Sequence, residues 1–261
     1  MTLRAITSGI GLAAAALVLA SCASDTETTT TDSGVELVKD GTLTICTHLP
    51  YEPFEFTEGG EVVGFDVDVL KIAADAEGLD TEVIDTSWET ITSGEALNTG
   101  QCDVAAGAMS ITEEREAVMD FTDSYFEAKQ ALLMKAGAGY ESLDDLAGKK
   151  IAVQDATTGA DYTRENAPED AEIISFEDSA LMQQAVKTGR ADAGVNDNGL
   201  LNYFASQNDD VEVGAEFETG DVYGFSVKKD GNDALLDVIN DAIASDEYDA
   251  AYEKWFGTSA E

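Results

Sequence analysis

Gly41-Thr42-Leu43-Thr44-Ile45-Cys46 and, far along the chain, Gly148-Lys149-Lys150-Ile151-Ala152-Val153 are segments of one kind: a glycine, then a short β-branched or small apolar run. Each reads as the first strand of a buried sheet. Outward from the first copy, Asp66 to Glu77 sets Val69, Leu70, Ala73 and Ala76 at helical spacing and stops at Gly78, and Thr81 to Ile84 reads as the next strand. Glu89 to Leu97 reads as a helix closed by Asn98-Thr99-Gly100, and Cys102 to Ala106 as a strand of small residues. Outward from the second copy, helix Ser179 to Lys187 runs into Thr188-Gly189-Arg190-Ala191-Asp192-Ala193. That stretch matches Thr99-Gly100-Gln101-Cys102-Asp103-Val104 at Thr, Gly and Asp, in the same helix-to-strand turn. The repeated βαβα succession predicts an α/β chain of two similarly built lobes, each with a mostly parallel sheet covered by helices. The closing segment, Gly224 to Val227 and then helices over Asp233 to Ala244 and Glu247 to Phe256, has no strand partners of its own and is expected to return to the first lobe.

Residues 1–21 read as a leader: a basic start at Arg4, the small-apolar run Ile10 to Ala20, then Leu19-Ala20-Ser21-Cys22. The run is too short to span a bilayer. A small-residue cleavage site followed by cysteine resembles the bacterial lipobox, which implies lipidation of Cys22; an ordinary leader with a chance cysteine is the plainer alternative. Ala23 to Ser33 carries threonines, serines and acids with no large apolar side chain, so 22–39 is expected to be a lipidated cysteine and a disordered tether. The folded chain is then expected as 40–132 with 223–261 in the first lobe and 133–222 in the second, joined by crossovers near Gln130 to Lys135 and Gly220 to Phe225.

The formal charge is −39, and loss of the leader removes only one basic residue, Arg4. Such a field repels nucleic acid and anionic lipid, and serves solubility at a crowded surface. Besides Cys22 there are Cys46 and Cys102, and an exported location permits a disulfide. With Cys46 late in its strand and Cys102 first in its own, parallel register separates them by about 10 Å, which speaks against a bridge. The single histidine, His48, excludes a multi-histidine metal site, and no zinc-binding spacing occurs, so neither metal nor cofactor is expected.

Ligands of open parallel sheets sit beyond the carboxyl ends of the strands. Four segments qualify: His48 to Phe54, Gly107 to Arg115, Gln154 to Gly159, and Asn196 to Asn198. In the second, Ser110 or Thr112 reads as a helix N-cap, and Arg115 stands out among acids as a fork for a carboxylate, with a surface salt bridge as its plainer role. Asp155-Ala156-Thr157-Thr158-Gly159 offers hydroxyls and amides, although a threonine at a helix start is more often a cap. Asp197 offers a carboxylate for an ammonium group, or is a turn residue. Pro50 and Pro53 stiffen the backbone around Tyr51, whose ring would stack on a ligand. Phe54 and Phe65 are assigned to the core.

Tyr51-Glu52-Pro53-Phe54, then Gly64-Phe65-Asp66-Val67-Asp68, Met109-Ser110-Ile111-Thr112 with Arg115, Asp120-Phe121-Thr122 before Tyr125, Ser142-Leu143-Asp144-Asp145-Leu146-Ala147-Gly148-Lys149, and Tyr252-Glu253-Lys254-Trp255-Phe256 occur in that order. Together they resemble the extracellular solute-binding proteins of family 3, which serve polar amino acid importers of the ATP-binding-cassette class, here in lipoprotein form. The likeness runs from about Leu43 to Phe256. It implies two Rossmann-like lobes in a type II periplasmic binding protein-like fold, with an amino acid ligand, an ABC permease and ATPase as membrane partners, no nucleic acid, and a monomer. By the resemblance, Arg115 pairs with the ligand α-carboxylate, helped by Gly107, Ser110 and the Thr157-Thr158 turn, while Asp197 takes the α-ammonium. Tyr51 covers one side and Trp88 is an apolar wall. His48 stands where members that prefer cationic side chains carry an acid, which leaves the ligand side chain open. The negative field, with Glu52 and Glu89 beside the pocket, favours a polar or cationic amino acid over an aliphatic or acidic one.

An enzyme is the first rival, since a few proteins of this fold are dehydratases. There is no nucleophile elbow, no Ser-His-Asp order and no second histidine, so a binding protein is expected rather than an enzyme. The other rival is a ligand-sensing module of a receptor, which would use the same clamp. Because acyl chains contribute about 0.8 kcal/mol per buried methylene, they are the expected anchor. Cys22→Ser is therefore predicted to release the protein from membranes after a salt wash, checked by fractionation.

Overall fold

The structure, a computed structural model, describes residues 29–257. The expected leader and Cys22 lie outside the described residues. Of the expected tether, residues 29–39 are folded. Strand β1 (Thr29–Thr30) pairs with β2 (Glu36–Leu37) in antiparallel register, and Val35 and Leu37 are buried in the main core. Two apolar side chains just beyond Gly34 dock this segment, so ordered chain begins ahead of the expected start near Asp40.

The first lobe opens with β3 (Thr42–Thr47), a small hairpin of β4 (Phe56–Glu58) and β5 (Glu61–Val63), and helix α1 (Phe65–Glu77), which Gly78 ends in a left-handed cap. Then come β6 (Asp80–Asp85), α2 (Trp88–Thr92), α3 (Glu95–Asn98), β7 (Val104–Ala105), α4 (Glu113–Glu116) and β8 (Met119–Phe121). The single helix expected over Glu89 to Leu97 is two, because Gly94 takes a left-handed conformation between α2 and α3. The long strand β9 (Phe126–Lys135) leads to the second lobe: β10 (Lys150–Gln154), α5 (Thr158–Asn166), β11 (Glu172–Phe176), α6 (Ser179–Thr188), β12 (Ala193–Asp197), α7 (Asn198–Ser206) and the returning strand β13 (Val211–Tyr223). Finally β14 (Ser226–Lys228), α8 (Asp233–Ile243) and α9 (Asp246–Phe256) go back to the first lobe, as the missing strand partners required.

The two five-stranded sheets run β6-β3-β7-β14-β8 and β11-β10-β12-β9-β13. In each, the fourth strand is the antiparallel one, β14 in the first and β9 in the second. The likeness of the two helix-to-strand turns has a physical basis. Asp103 accepts from Thr44 N–H at 2.8 Å while its own N–H reaches Thr44 O at 3.0 Å. Asp192 accepts from Lys150 N–H at 2.9 Å while its N–H reaches Lys150 O at 2.8 Å. In both lobes an aspartate thus locks the third strand to the first.

The lobes join through a ribbon in which Phe126, Glu127 and Ala128 pair with Tyr223, Val222 and Asp221. The expected first crossover, Gln130 to Lys135, lies inside the second sheet instead, where Gln130 to Met134 pair with β12. No glycine or proline interrupts β9, so its composition hides the passage between lobes. The ribbon is rooted in the first lobe by its rings: Phe126 stacks on Tyr223 at 5.4 Å, and Phe54 meets both edge-on.

Cys46 and Cys102 form a disulfide with Cα atoms 5.7 Å apart, against the register expectation. The expectation took Cys102 as the first residue of its strand, but the strand begins at Val104, and Cys102 stands in the turn that brings the chain down from α3 onto the sheet. From there it reaches the sheet face, where Ala96, Leu97 and Trp88 pack around the bridge. It closes a loop of sequence separation 56, and a bridge of this kind typically stabilises a fold by about 2–4 kcal/mol. Replacing both cysteines by alanine is predicted to lower the unfolding free energy by that amount, measured by urea titration.

Candidate functional site

The carboxyl ends of the two sheets face one another across a small cavity. On the first lobe, the turn after β7 passes through Gly107 and Ala108; on the second, the turn after β10 passes through Ala156. Ala108 and Ala156 have φ of 47° and 60°, a left-handed conformation unusual for a residue with a Cβ; the first follows the third strand of its lobe and the second the first strand of its own. Asp66, near the start of α1, holds the first turn by accepting from Gly107 N–H at 3.1 Å and Ala108 N–H at 2.9 Å. Gly107 has no room for a side chain: a Cβ there would lie 2.8 Å from the Trp88 ring, at φ 145°.

Arg115 sits on the single turn α4, whose N-cap is Thr112 rather than Ser110. The residue is 7% exposed, and its guanidinium donates to Ser110 O at 2.8 Å and to Ala156 O of the other lobe at 3.0 Å and lies 5.5 Å from the Trp88 ring. Among the described residues no carboxylate is within salt-bridge reach of it, so the surface ion pair is not its role. Burial lowers its pKa, opposed by the more distant Asp197 and Asp221.

Asp197 ends β12 on the facing lobe and is also buried. It accepts from Gln130 Nε2 at 2.6 Å, Tyr223 Oη at 2.6 Å and Tyr51 Oη at 2.8 Å, all neutral donors. Burial raises its pKa, and these three donors pull it back. Among the described residues, a guanidinium with no anion in salt-bridge reach and a carboxylate with no cation in reach therefore line one cavity from opposite lobes. Each is a costly arrangement that a zwitterion would complete.

The rest of the wall is mixed. Trp88 donates from Nε1 to Ala156 O at 2.9 Å, a second bond between lobes. Ser110 and Thr158 hydroxyls meet across the cleft at 3.3 Å, and Gln130 Nε2 lies 3.2 Å from the Thr158 hydroxyl. His48 Nδ1 faces Thr86 O at 2.9 Å; the ring donates to that carbonyl, which leaves Nε2 as a buried acceptor with no partner among the described residues. Glu55, 1% exposed, also lines the cavity, and neither of its oxygens receives an N–H or hydroxyl hydrogen bond. Burial, and then Asp66 beside it, raise its pKa well above the ordinary carboxyl value. Burial also raises Asp66, to about 6, against the pull of Ala108, Tyr125 and Gly107.

The model of the bacterial extracellular solute-binding proteins, family 3, matches residues 43–258. The chain belongs to this family. It is 36% identical over 202 residues, 75% of this chain and 73% of the relative, to the ABC transporter glutamine-binding protein GlnH of Bacillus subtilis. It is 30% identical to the arginine-binding extracellular protein ArtP of the same organism, over 82% of this chain and 86% of that one. Among solved structures, an ancestral arginine-binding protein bound to glutamine superposes with a TM-score of 0.78 at 37% identity, over 84% of this chain and all of that one. The two-lobed α/β fold expected from the sequence is shared with that amino acid-binding structure.

Of the residues the sequence singled out, Tyr51, Trp88, Gly107, Ser110, Arg115, Thr157, Thr158, Asp197 and His48 all line the cavity. Glu52 does not. The chain folds back so that Tyr51 N–H donates to Glu55 O at 2.7 Å and Glu55 N–H to Tyr51 O at 3.1 Å, which brings Glu55 rather than Glu52 beside Tyr51. Thr157 lines the cavity but its hydroxyl is spent on the plainer role: it caps α5, accepting from Ala160 N–H at 3.1 Å and donating to Gln154 O at 2.7 Å. Glu89 lies in an outer vestibule with Asp155, Glu177 and Asp178. Sequence reasoning missed Glu55, Gln130 and Tyr223. An acid flanked by Phe54 and Phe56, and a glutamine inside the apolar run of β9, were the available signals.

Raised carboxyls mean that the folded chain holds protons the unfolded chain has released. Between the ordinary carboxyl pKa and about 6, stability therefore rises as pH falls, by on the order of 3 kcal/mol for a shift the size of that at Asp66. The unfolding midpoint is predicted to increase from about pH 7.5 to about pH 5.5. Glu55→Gln should show a smaller increase, measured by calorimetry at both pH values.

Proposed function

We propose that this protein captures a polar or cationic amino acid between its lobes outside the cell and hands it to an ABC permease and ATPase. The observation that carries the reading is the pair of uncompensated charges. Arg115 receives the α-carboxylate with amide and hydroxyl help from the turns at Gly107 to Ser110 and Thr157 to Thr158, and Asp197 receives the α-ammonium. Tyr51 and Trp88 cover the ligand stem. The unpartnered acceptors in the wall, His48 Nε2 and the Glu55 oxygens, ask for N–H donors on the side chain. Glutamine, arginine, lysine and histidine supply them; glutamate and leucine do not. The relatives named for glutamine and arginine support that class. So does the strongly negative charge, which raises the local concentration of cations. The same reading has the chain as a monomer, held at the outer face of the cell membrane through lipidated Cys22, binding rather than transforming its ligand.

Arg115→Ala and Asp197→Ala are each predicted to weaken binding by about 2–5 kcal/mol, as expected for one member of a buried charge pair, while the circular dichroism spectrum is unchanged. Isothermal calorimetry against the six amino acids named above tests both the clamp and the class. Wild-type affinity in either variant, or tight binding of glutamate or leucine, would contradict the reading.

A further inference from the structure

The amino acid reading offers the Glu55 oxygens to the ligand side chain without saying what charge they carry. Glu55 is buried, lines the site, and receives no N–H or hydroxyl donor among the described residues. Its neighbour Asp66 is the opposite case. Asp66 accepts from Gly107 N–H, Ala108 N–H and the Tyr125 hydroxyl at 2.8 Å, and so is the better anion of the two. The backbone sets them side by side: Asp66 N–H donates to Phe54 O at 3.0 Å, immediately before Glu55, and a Cβ on Gly107, whose N–H holds Asp66, would stand 3.5 Å from Glu55 Oε1. Two carboxyls this close in a dry site hold one proton between them.

We propose that Glu55 reads the ligand side chain by accepting its N–H groups, and that a cationic side chain binds only as the proton shared by Glu55 and Asp66 is released to solvent. In the protonated pair, Glu55 directs its O–H at Asp66 and presents its other oxygen to the cavity as a neutral acceptor, suited to a carboxamide. A guanidinium or ammonium group beside it replaces the proton as the compensating charge. The other groups facing the pair do not supply that charge. Glu52 is an acid, Tyr51 and Tyr125 are phenols held protonated by burial, and Tyr248 donates its hydroxyl to Tyr125 O. Across the cavity, His48 is tied to Thr86 and Arg115 to Ser110 and Ala156.

This inference rests on the amino acid reading, and calorimetry of the full chain with L-arginine and L-glutamine separates the two. Titrations at about pH 6.5 in two buffers of different ionisation enthalpy count the protons released. Arginine binding is expected to release a fraction of a proton approaching one, and glutamine binding close to none. From about pH 5.5 to 7.5 the arginine affinity should rise roughly tenfold relative to glutamine. Glu55→Gln should abolish the release and lower the arginine-to-glutamine affinity ratio roughly tenfold. His48→Asn, whatever its effect on affinity, should leave the release in place. Wild type that binds both ligands without a difference in proton release, release that survives Glu55→Gln, or release lost in His48→Asn would overturn the inference alone. Wild type that binds neither ligand would overturn the amino acid reading and the inference with it.

Discussion

The carboxyl of Asp66 ties together three parts of the first lobe that no covalent bond joins. It sits at the start of α1, holds both amides of the turn after β7, and takes the hydroxyl of Tyr125 just before the ribbon to the second lobe. Without it the Gly107-Ala108 turn would have no partner for two buried N–H groups, and the wall on which Trp88 and Ser110 stand would lose its position. Keeping a full charge at so dry a place is costly, and the structure offsets that cost with three neutral donors and a shared proton rather than with a cation.

The two lobes answer the same mechanical problem in the same way. A parallel strand arriving from a helix needs something to fix its register, and Asp103 and Asp192 do this by bonding to the first strand in both directions. The left-handed residues Ala108 and Ala156 then turn the chain away from the two sheets, after the third strand in the first lobe and after the first strand in the second. The cleft lies between the two sheets so built, and Arg115 and Asp197 present charges of opposite sign from either side of it.

Much of this was legible. Short apolar runs led by glycine, helices closed by glycine, and the Thr-Gly-x-x-Asp repeat gave two α/β lobes, and the rule that ligands gather at strand ends found most of the cavity wall. What escaped did so for physical reasons. The passage between lobes lies within a strand that has no breaker, so composition carries no mark of it. The disulfide depended on where a two-residue strand begins, and a shift of two residues changes the reach of a side chain by more than a bridge can span. Glu52 and Glu55 are a turn apart, and only the reversal of the backbone at Tyr51 decides which of them looks inward.

Both Trp88 and Arg115 reach across the cleft to one atom, the carbonyl oxygen of Ala156. That oxygen belongs to the backbone, so its position depends on a dihedral angle and not on which side chain residue 156 carries. Glycine, asparagine or aspartate would adopt the same conformation with less strain and keep the contact. Residue 156 can thus drift in sequence without losing the contact, whereas Trp88 and Arg115, whose side chains supply its other half, cannot. The grip between the lobes is therefore written on one side in a backbone angle and on the other in two fixed side chains, and only the first is indifferent to the letter that stands there.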